Sequence, residues 1–310
     1  LLWGKVKTSG ALDVGREGVG TLTIESGGSA ESGGSSIGYG ANSSGTVTVL
    51  GTGSTWHVNG LLNVGYYGEG KLIIEKGGKV TTTDTFYIGR ESSKNNKVFV
   101  TDGGELTIGD NDLYVGKNGN GYLEIDGGKV EVKDGWMYIA NGTSSNGDVL
   151  VTNAGWLDVS GDLNIGVNGT GSMTIEAGGK VENNRSTIGQ GSGQIGKVVV
   201  TGKNSEWTLD GVLYVGYKGE GYQTISDFGT VTNKSDNMIV ADQGGSTGEI
   251  LVTSGGKLEI QGNLTLGRIG AGTLVIGNDG FVGFGQEINL ANNPGSTGTL
   301  IIGSLPDQGA

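Results

Sequence analysis

The sequence predicts an all-β fold, a single-stranded parallel β-helix (β-solenoid) of about twelve coils. Three observations predict it: a repeat of 50 or 51 residues, short apolar strands with alternating side chains, and glycine between the strands. The 310 residues include 66 glycines without the Gly-X-Y period of collagen. Glycine adopts positive φ at no steric cost, so these residues are best interpreted as corners.

The repeat begins with a short strand that ends in glycine, and x-x-Gly-x-Gly follows each copy. The six copies are LDVG at 12–15, LNVG at 62–65, LYVG at 113–116, LNIG at 163–166, LYVG at 213–216 and LTLG at 264–267. A glycine loop that binds phosphate occurs once and opens a helix. Here a second strand follows every time, so the loop is a corner, and we expect Gly119 and Gly121 to hold conformations closed to other residues.

Each repeat divides into two half-units of 23 to 27 residues with three short strands apiece. In one half-unit the side chains expected to point inward are Leu113, Val115, Leu123, Ile125 and Val130, and the same pattern places Leu62, Val64, Leu72 and Ile74 inside. Stacked coils would place equivalent residues about 4.8 Å apart in parallel sheets. A six-bladed propeller is the alternative, but it needs four antiparallel strands and hairpin turns per blade.

One β-helix domain is expected to fill residues 1–310, truncated at both ends as an internal piece of a longer protein. Its repeats are expected at about 12–61, 62–112, 113–162, 163–212, 213–263 and 264–303, with a tail at 304–310.

Three segments resemble the autotransporter and PEP-CTERM-associated repeat of bacterial type V secreted passengers. They are GTGSTWHVNGLLNVG at 51–65, LNVGYYGEGKLIIEKGGKV at 62–80 and GKNSEWTLDGVLYVG at 202–216. The resemblance implies a right-handed parallel β-helix on a secreted, cell-surface protein of a Gram-negative bacterium, anchored at the outer membrane. It also implies a scaffold that is often an adhesin or a self-association factor and carries no catalytic residues of its own.

The charge pattern narrows the expected partners. The net charge of −12 disfavours nucleic acid, which binds basic surfaces. No run of about 18 apolar residues exists to insert this segment into a membrane. The expected partners are therefore a surface glycan or protein of host or bacterium, or another copy of the chain, and no cofactor is expected.

An acidic column follows the second strand of alternate half-units, at Glu25, Glu75, Asp126, Glu176 and, shifted by one, Asp227. Two coils separate its members, or about 9.6 Å, which reaches the upper end of the separation in inverting glycosidases. A catalytic pair would interrupt the repeat, whereas this column follows it. We therefore expect a solvated stripe, partly neutralised by the lysines after Gly-Gly, namely Lys79, Lys129 and Lys180.

Histidine and cysteine, the usual ligands of zinc, are scarce or absent in this sequence. His57 is the single histidine, expected to face outward, and cysteine is absent. The segment GDND at 109–112 places two carboxylates in one turn, which is a weak calcium signal. We expect no metal site.

Three residues depart from the aliphatic core pattern. Trp56 and Trp207 take a position that leucine fills in other repeats and are expected to be core or corner fillers. Gln223 takes the position of Leu123. A buried amide needs partners, so either Gln223 hydrogen-bonds within its coil or the strand slips and Tyr222 points inward.

Tyrosine marks the outward position of the first strand on three consecutive coils. The candidate binding face consists of Tyr87, Tyr114 and Tyr138, with Tyr214 further along and Tyr66, Tyr67 and Tyr217 at the adjoining corner. Rings about 4.8 Å apart can stack. The stack either stiffens the sheet or forms a flat, exposed platform for a glycan or a second rod.

Three functions fit the sequence. The first is a non-enzymatic surface adhesin or self-association rod, favoured because no half-unit carries an insertion that could build a cleft. The second is a polysaccharide-cleaving β-helix enzyme, a lyase or tailspike-like hydrolase, which needs a clustered acid and arginine site. The arginines do not fall on adjacent coils and are Arg16, Arg90, Arg185 and Arg268. The third is a passive stalk that displays another domain.

Overall fold

The computed structural model describes residues 4–91, 94–234 and 237–303. The strands in these ranges form three parallel sheets of twelve, eleven and twelve strands, with no helix among them. The predicted fold, an all-β parallel solenoid of about twelve coils, is confirmed. Each coil between Ser35 and Phe284 contributes one strand to each sheet, as the three strands per half-unit predicted.

Sheet I contains the three-residue strands that open the half-units: Ser35–Ile37, Leu62–Val64, Phe86–Ile88, Leu113–Val115, Met137–Ile139, Leu163–Ile165, Ser186–Ile188, Leu213–Val215, Met238–Val240, Leu264–Leu266 and Ile288–Leu290. Sheet II contains the longest strands: Val19–Glu25, Ser44–Leu50, Glu69–Glu75, Asn96–Thr101, Asn120–Asp126, Asn146–Thr152, Thr170–Ile175, Ile195–Thr201, Glu220–Ser226, Thr247–Val252, Ala271–Ile276 and Thr297–Ile302. Sheet III contains the remaining strands: Lys5–Lys7, Ser29–Ser32, Thr55–Val58, Lys79–Thr82, Glu105–Ile108, Lys129–Val132, Trp156–Val159, Lys180–Asn183, Glu206–Leu209, Thr230–Asn233, Lys257–Ile260 and Phe281–Phe284.

Each strand pairs with the equivalent strands of the coils before and after it. Leu113, for example, lies between Phe86 and Met137 in sheet I. The partner strands are therefore about one half-unit apart in the chain, and a single coil has no partner of its own. This pairing turns every position of the half-unit into a column that runs along the rod.

The inward columns form one continuous apolar core. The expected core residues are all fully buried, namely Leu62, Val64, Leu72, Ile74, Leu113, Val115, Leu123, Ile125 and Val130. The two core tryptophans are also fully buried, and their indole N–H groups find acceptors. Trp56 donates to Ser32 Oγ at 3.2 Å and Trp207 to Asn183 Oδ1 at 2.8 Å, so each large ring packs without an unpaired donor.

Gln223 is the exception in this core. Its side chain points inward and is 1% exposed, between Val198 and Ile250 of the neighbouring coils. Neither its Oε1 nor its Nε2 atom has a hydrogen-bond partner, so the expected partners within the coil are not formed. Tyr222 stays on the outer face, so the strand does not slip either. A slip of one residue would turn every inward side chain of this strand outward.

Two different constraints fix the corner glycines. Gly116, directly after the first strand, has a φ of 75°, and alanine takes the equivalent position at Ala140 with a φ of 57°. Gly119 and Gly121 have no positive φ, so the expectation of a special conformation there is wrong. Gly121 is instead confined by close approach of the backbone: a Cβ atom would lie 2.5 Å from both Gly116 N and Ile88 O.

Replacing Gly121 by valine should destabilise the rod, because the added side chain overlaps backbone atoms of its own coil and of the preceding one. We expect a loss of about 1–3 kcal/mol in the free energy of unfolding. Urea denaturation measures it, with Gly18→Val as control, since a Cβ at Gly18 meets no atom within 4 Å. Equal stability of the two variants would show that the close approach is not a constraint.

Replacing Gln223 by leucine should stabilise the rod, because it removes an unpaired amide from an aliphatic column. We expect a gain of about 1–3 kcal/mol in the free energy of unfolding. The exposed Gln261 provides a control with the same chemical change, Gln261→Leu, at the surface. Denaturation of both variants tests the idea, which fails if Gln223→Leu unfolds at the same urea concentration as the parent.

Candidate binding face

The outer surface of sheet I carries two columns of side chains. The outer column consists of the middle residue of each sheet I strand, for example Tyr87 and Tyr114. The corner column consists of the residue three positions later, directly after the corner glycine or alanine, for example Arg90 and Lys117. Because each coil stacks in register on the next, the two columns run side by side along the rod.

Three rings of the outer column are stacked as predicted. The ring centroids of Tyr87 and Tyr114 are 5.1 Å apart with an interplanar angle of 17°. Those of Tyr114 and Tyr138 are 4.8 Å apart with an angle of 10°. These distances match the spacing of strands in a sheet.

A second stack lies in the corner column of the preceding coils. The rings of Tyr39 and Tyr66 are stacked at 5.2 Å and 14°. The guanidinium of Arg16 lies 5.1 Å from the ring centroid of Tyr39. Arg90 contacts both stacks, since its Cζ atom lies 4.9 Å from the centroid of Tyr66 and 4.6 Å from that of Tyr87. Cations over ring faces are attracted by the ring quadrupole.

The two stacks therefore form one structure across consecutive coils. We call it the tyrosine ladder, and it comprises Arg16, Tyr39, Tyr66, Arg90, Tyr87, Tyr114 and Tyr138. Tyr39 and Tyr66 belong to the corner column, whereas the tyrosines from Tyr87 onward belong to the outer column. Arg90 connects the two sets because it contacts both Tyr66 and Tyr87. Lys117 adds another cation, with its Nζ atom 4.4 Å from the ring centroid of Tyr114.

The other predicted site residues fall in two places. Tyr67 packs edge-to-face on Tyr66 at 4.4 Å and 75° and is 48% exposed, so it borders the ladder. Tyr214 and Tyr217 pack edge-to-face on each other at 5.2 Å. Two coils, which carry Asn164 and Thr187 in the outer column, separate Tyr138 from Tyr214. Tyr214 and Tyr217 are thus a separate pair.

Sequence reasoning missed Tyr39, Trp136 and the cations of the ladder. A signal for Tyr39 was present, because it follows Gly38 as Tyr66 follows Gly65. The cations could have been found from the spacing of three residues between the two columns. Trp136 lies in the corner before sheet I, 6.1 Å from the ring of Tyr138, where no period marks it.

The outer column is more buried than a flat, exposed platform would be. Tyr87, Tyr114 and Tyr138 are half-buried, and Asn63 is only 3% exposed. The cause is the corner column, whose side chains lie over the shorter residues beside them. Arg90 Nη1, for instance, donates to Asn63 Oδ1 at 3.3 Å. The face therefore presents ring edges and cations to solvent.

Burial shifts the protonation of the stacked phenols. It raises the pKa of Tyr138 to about 12, and the Asp112 and Asp162 carboxylates add to the increase. Burial also raises the pKa of Tyr114 far above its usual value. In addition, the hydroxyl of Tyr114 donates to Asp112 Oδ2 at 3.1 Å, which favours the neutral phenol.

The acidic column keeps its predicted spacing but not its predicted lysine partners. Glu25 and Glu75 both pair with Leu50, so a full coil lies between them. The lysines instead lie beside carboxylates of sheet III. The pairs are Lys79 with Glu105 at 2.7 Å, Lys180 with Glu206 at 3.1 Å and Lys129 with Glu131 at 3.6 Å.

The arginines outside the ladder are paired with acids. Arg185 contacts Asp162 at 2.5 Å, and Arg268 contacts the fully buried Asp242 at 3.0 Å. Within the ladder, Arg16 also contacts Asp13 at 2.7 Å. Each arginine thus forms an ion pair with one acid or lies over a tyrosine ring, and the four arginines do not cluster.

No group of three or more histidine, cysteine, aspartate or glutamate residues in the described ranges is arranged to hold a metal ion. In the GDND turn, Asp112 Oδ1 accepts the backbone N–H of Trp136 at 2.9 Å. The ring of His57 is half-buried and hydrogen-bonds Thr81 Oγ1. In the part of the chain that the structure describes, no helix has the length and hydropathy to cross a membrane.

No protein-family model matches the chain. Over 152 residues it is 36% identical to an uncharacterized lipoprotein, YdeK of Escherichia coli strain K12, which covers 46% of this chain. The chain spans only 11% of the length of that relative. The crystal structure of a TibC-catalysed, hyper-glycosylated TibA fragment covers 96% of this chain and 95% of its own, with 19% identity and a TM-score of 0.35.

The raised phenol pKa values predict a loss of stability in alkaline solution. The folded state favours the neutral phenol, so the stabilisation is complete below the unfolded pKa of about 10 and is lost as pH rises towards 12. Unfolding free energies at pH 9 and pH 11.5 measure the loss for the parent and for Tyr138→Phe. The variant should lose less stability than the parent; an identical loss would show that Tyr138 does not contribute.

Proposed function

We propose that this chain is part of a non-enzymatic bacterial surface protein that acts in adhesion or self-association through the outer face of sheet I. The observation that carries the proposal is the tyrosine ladder, which follows one side of a rod made of uninterrupted coils. Aromatic and cationic side chains joined over consecutive coils provide a large contact area on one face. Arginine and tyrosine are also the residues enriched where protein interfaces bind most strongly.

A surface location is supported by the similarity to a lipoprotein over nearly half of the chain. The resemblance of residues 51–80 and 202–216 to repeats of secreted passengers agrees with it. The acidic surface and the absence of cysteine are compatible with export, because the fold needs no disulfide.

The non-enzymatic part of the proposal rests on the arrangement of the acids and arginines. Glu25, Glu75 and their equivalents follow the repeat at a spacing of two coils. A hydrolytic pair needs two carboxylates in different environments, so that one holds a proton while the other is ionised. Glu25 and Glu75 flank the same residue, Leu50, so the sheet pairing places no second carboxylate next to either acid.

The ladder can be removed while the coil is kept. Ser36 already occupies the outer column, so serine fits the backbone of this position. We expect the triple variant Tyr87→Ser, Tyr114→Ser and Tyr138→Ser to retain a β-rich circular dichroism spectrum. It should lose most of the adhesion of protein-coated beads to bacterial and epithelial cells, or of bead-to-bead aggregation, because the contact area along the rod is gone.

The control removes aromatic rings from another face. Phe99 and Tyr122 lie edge-to-face at 6.0 Å on the outer side of sheet II, and Phe99→Ser with Tyr122→Ser should leave adhesion unchanged. Adhesion of the triple variant equal to that of the parent would refute the proposed face and would favour a stalk that displays another domain. Detectable cleavage of a polysaccharide that depends on Glu75 or Glu176 would refute the non-enzymatic proposal.

A further inference from the structure

The tyrosine ladder ends abruptly at Tyr138. One face of this ring is covered by Tyr114. On the other side, the next residue of the outer column is Asn164, whose side chain is much shorter than a phenol. The ring stack therefore ends at Tyr138, and the second face of this ring is directed towards the next coil. We call the place where the long side chain of Tyr138 is followed by the short one of Asn164 the step. Every other ring of the ladder has neighbours of the ladder on both sides.

Trp136 forms a second wall of this step. Its indole lies 6.1 Å from the ring of Tyr138 at an angle of 54° and is 46% exposed. It extends over Gly161 of the following coil, where a Cβ atom would lie 2.2 Å from Trp136 Cδ1. The missing side chain of Gly161 is thus what admits the indole. Two aromatic rings at an angle border the space above Asn164.

The floor of the step is polar and unpaired. Asn164 is 4% exposed and Thr187, next in the column, is 6% exposed. Neither side chain forms a hydrogen bond to another residue of the described ranges. By contrast, Asn63 at the same position of an earlier coil bonds to Ser36 at 3.0 Å and to Arg90. The Asn164 amide and the Thr187 hydroxyl therefore keep hydrogen-bonding capacity for a ligand.

A guanidinium and a carboxylate flank the step. Asp162 is 6% exposed and accepts two hydrogen bonds from Arg185, from Nε at 3.1 Å and from Nη2 at 2.5 Å. Guanidinium has five N–H donors, and the side chain of Arg185 is 49% exposed, so donors remain for a ligand. The Asp162–Arg185 pair is neutral in sum, and the Asp112 carboxylate near Tyr138 adds one negative charge.

We propose that this step is a subsite for a neutral hexopyranose unit of a glycan. The apolar C–H face of a pyranose fits against the open face of Tyr138 or Trp136, and its hydroxyls fit the Asn164 amide and the Arg185 guanidinium. Small-ligand sites combine aromatic walls with a few polar groups in this way. The net charge of −12 disfavours acidic glycans. This subsite lies at one end of the proposed adhesive face, and its assignment rests on the proposed function.

The test measures binding of the 310-residue chain to immobilised neutral oligosaccharides built from glucose, galactose or N-acetylglucosamine. We expect one of these series to bind the parent and to change its tryptophan fluorescence, because Trp136 is more exposed than Trp56, Trp156 and Trp207. Trp136→Ala should weaken binding at least tenfold. Phe228→Ala is the matched control, since Phe228 is an aromatic residue 67% exposed elsewhere on the rod, and it should bind as the parent does.

A second variant keeps the indole but moves it. Gly161→Ala should displace Trp136 and weaken binding in the same direction, and Trp136→Phe should retain part of the affinity. Failure of the parent to bind any neutral oligosaccharide overturns the subsite, as does full binding by Trp136→Ala. Loss of adhesion in the triple tyrosine variant together with no sugar binding would leave the proposed function standing with a protein partner or a second rod.

Discussion

Parallel pairing of each coil with the next is the interaction on which the whole structure depends. A strand such as Leu113–Val115 has hydrogen-bond partners only in the coils before and after it. The pairing therefore fixes register, and register turns each position of the half-unit into a column at the spacing of strands in a sheet. Core, corners and surface are all consequences of this alignment, because a residue's neighbours are its own equivalents one half-unit away.

The same alignment explains how a column can tolerate a residue of a different type, such as a polar side chain in the core or an alanine at a glycine position. Gln223 stays in the core without a partner because the register of its strand is held by the paired strands on both sides. Ala140 holds a positive φ because the corner after the strand is set by the coils around it, although glycine would adopt it more easily. The stacked sheets thus determine the backbone conformation and the burial of a residue even where its own preference is different.

Much of the fold could be predicted from the sequence, since alternation within a strand defines its inward side. Leu123 and Ile125 are buried as expected, and Tyr87, Tyr114 and Tyr138 stack as expected. The corner column was harder, because alternation does not indicate how a side chain beyond the strand end will lie. The contacts of Arg90 with two stacks, and the indole of Trp136 over Gly161, depend on packing between coils. Gly121 shows the same limit, since its constraint is a backbone contact with Ile88 in the preceding coil.

Stacking divides the candidate face into two parts with different chemistry. Along the ladder the ring faces are covered by other rings or by guanidinium groups, so a partner would meet phenol edges and cations. At Tyr138 one ring face is uncovered, and Trp136, Asn164 and Arg185 surround it with the groups that a small polar ligand needs. A long partner, such as a second rod, fits the first part, whereas a sugar unit fits the second. The outer column thus produces a distinct site only where its run of tyrosines ends, between Tyr138 and Asn164.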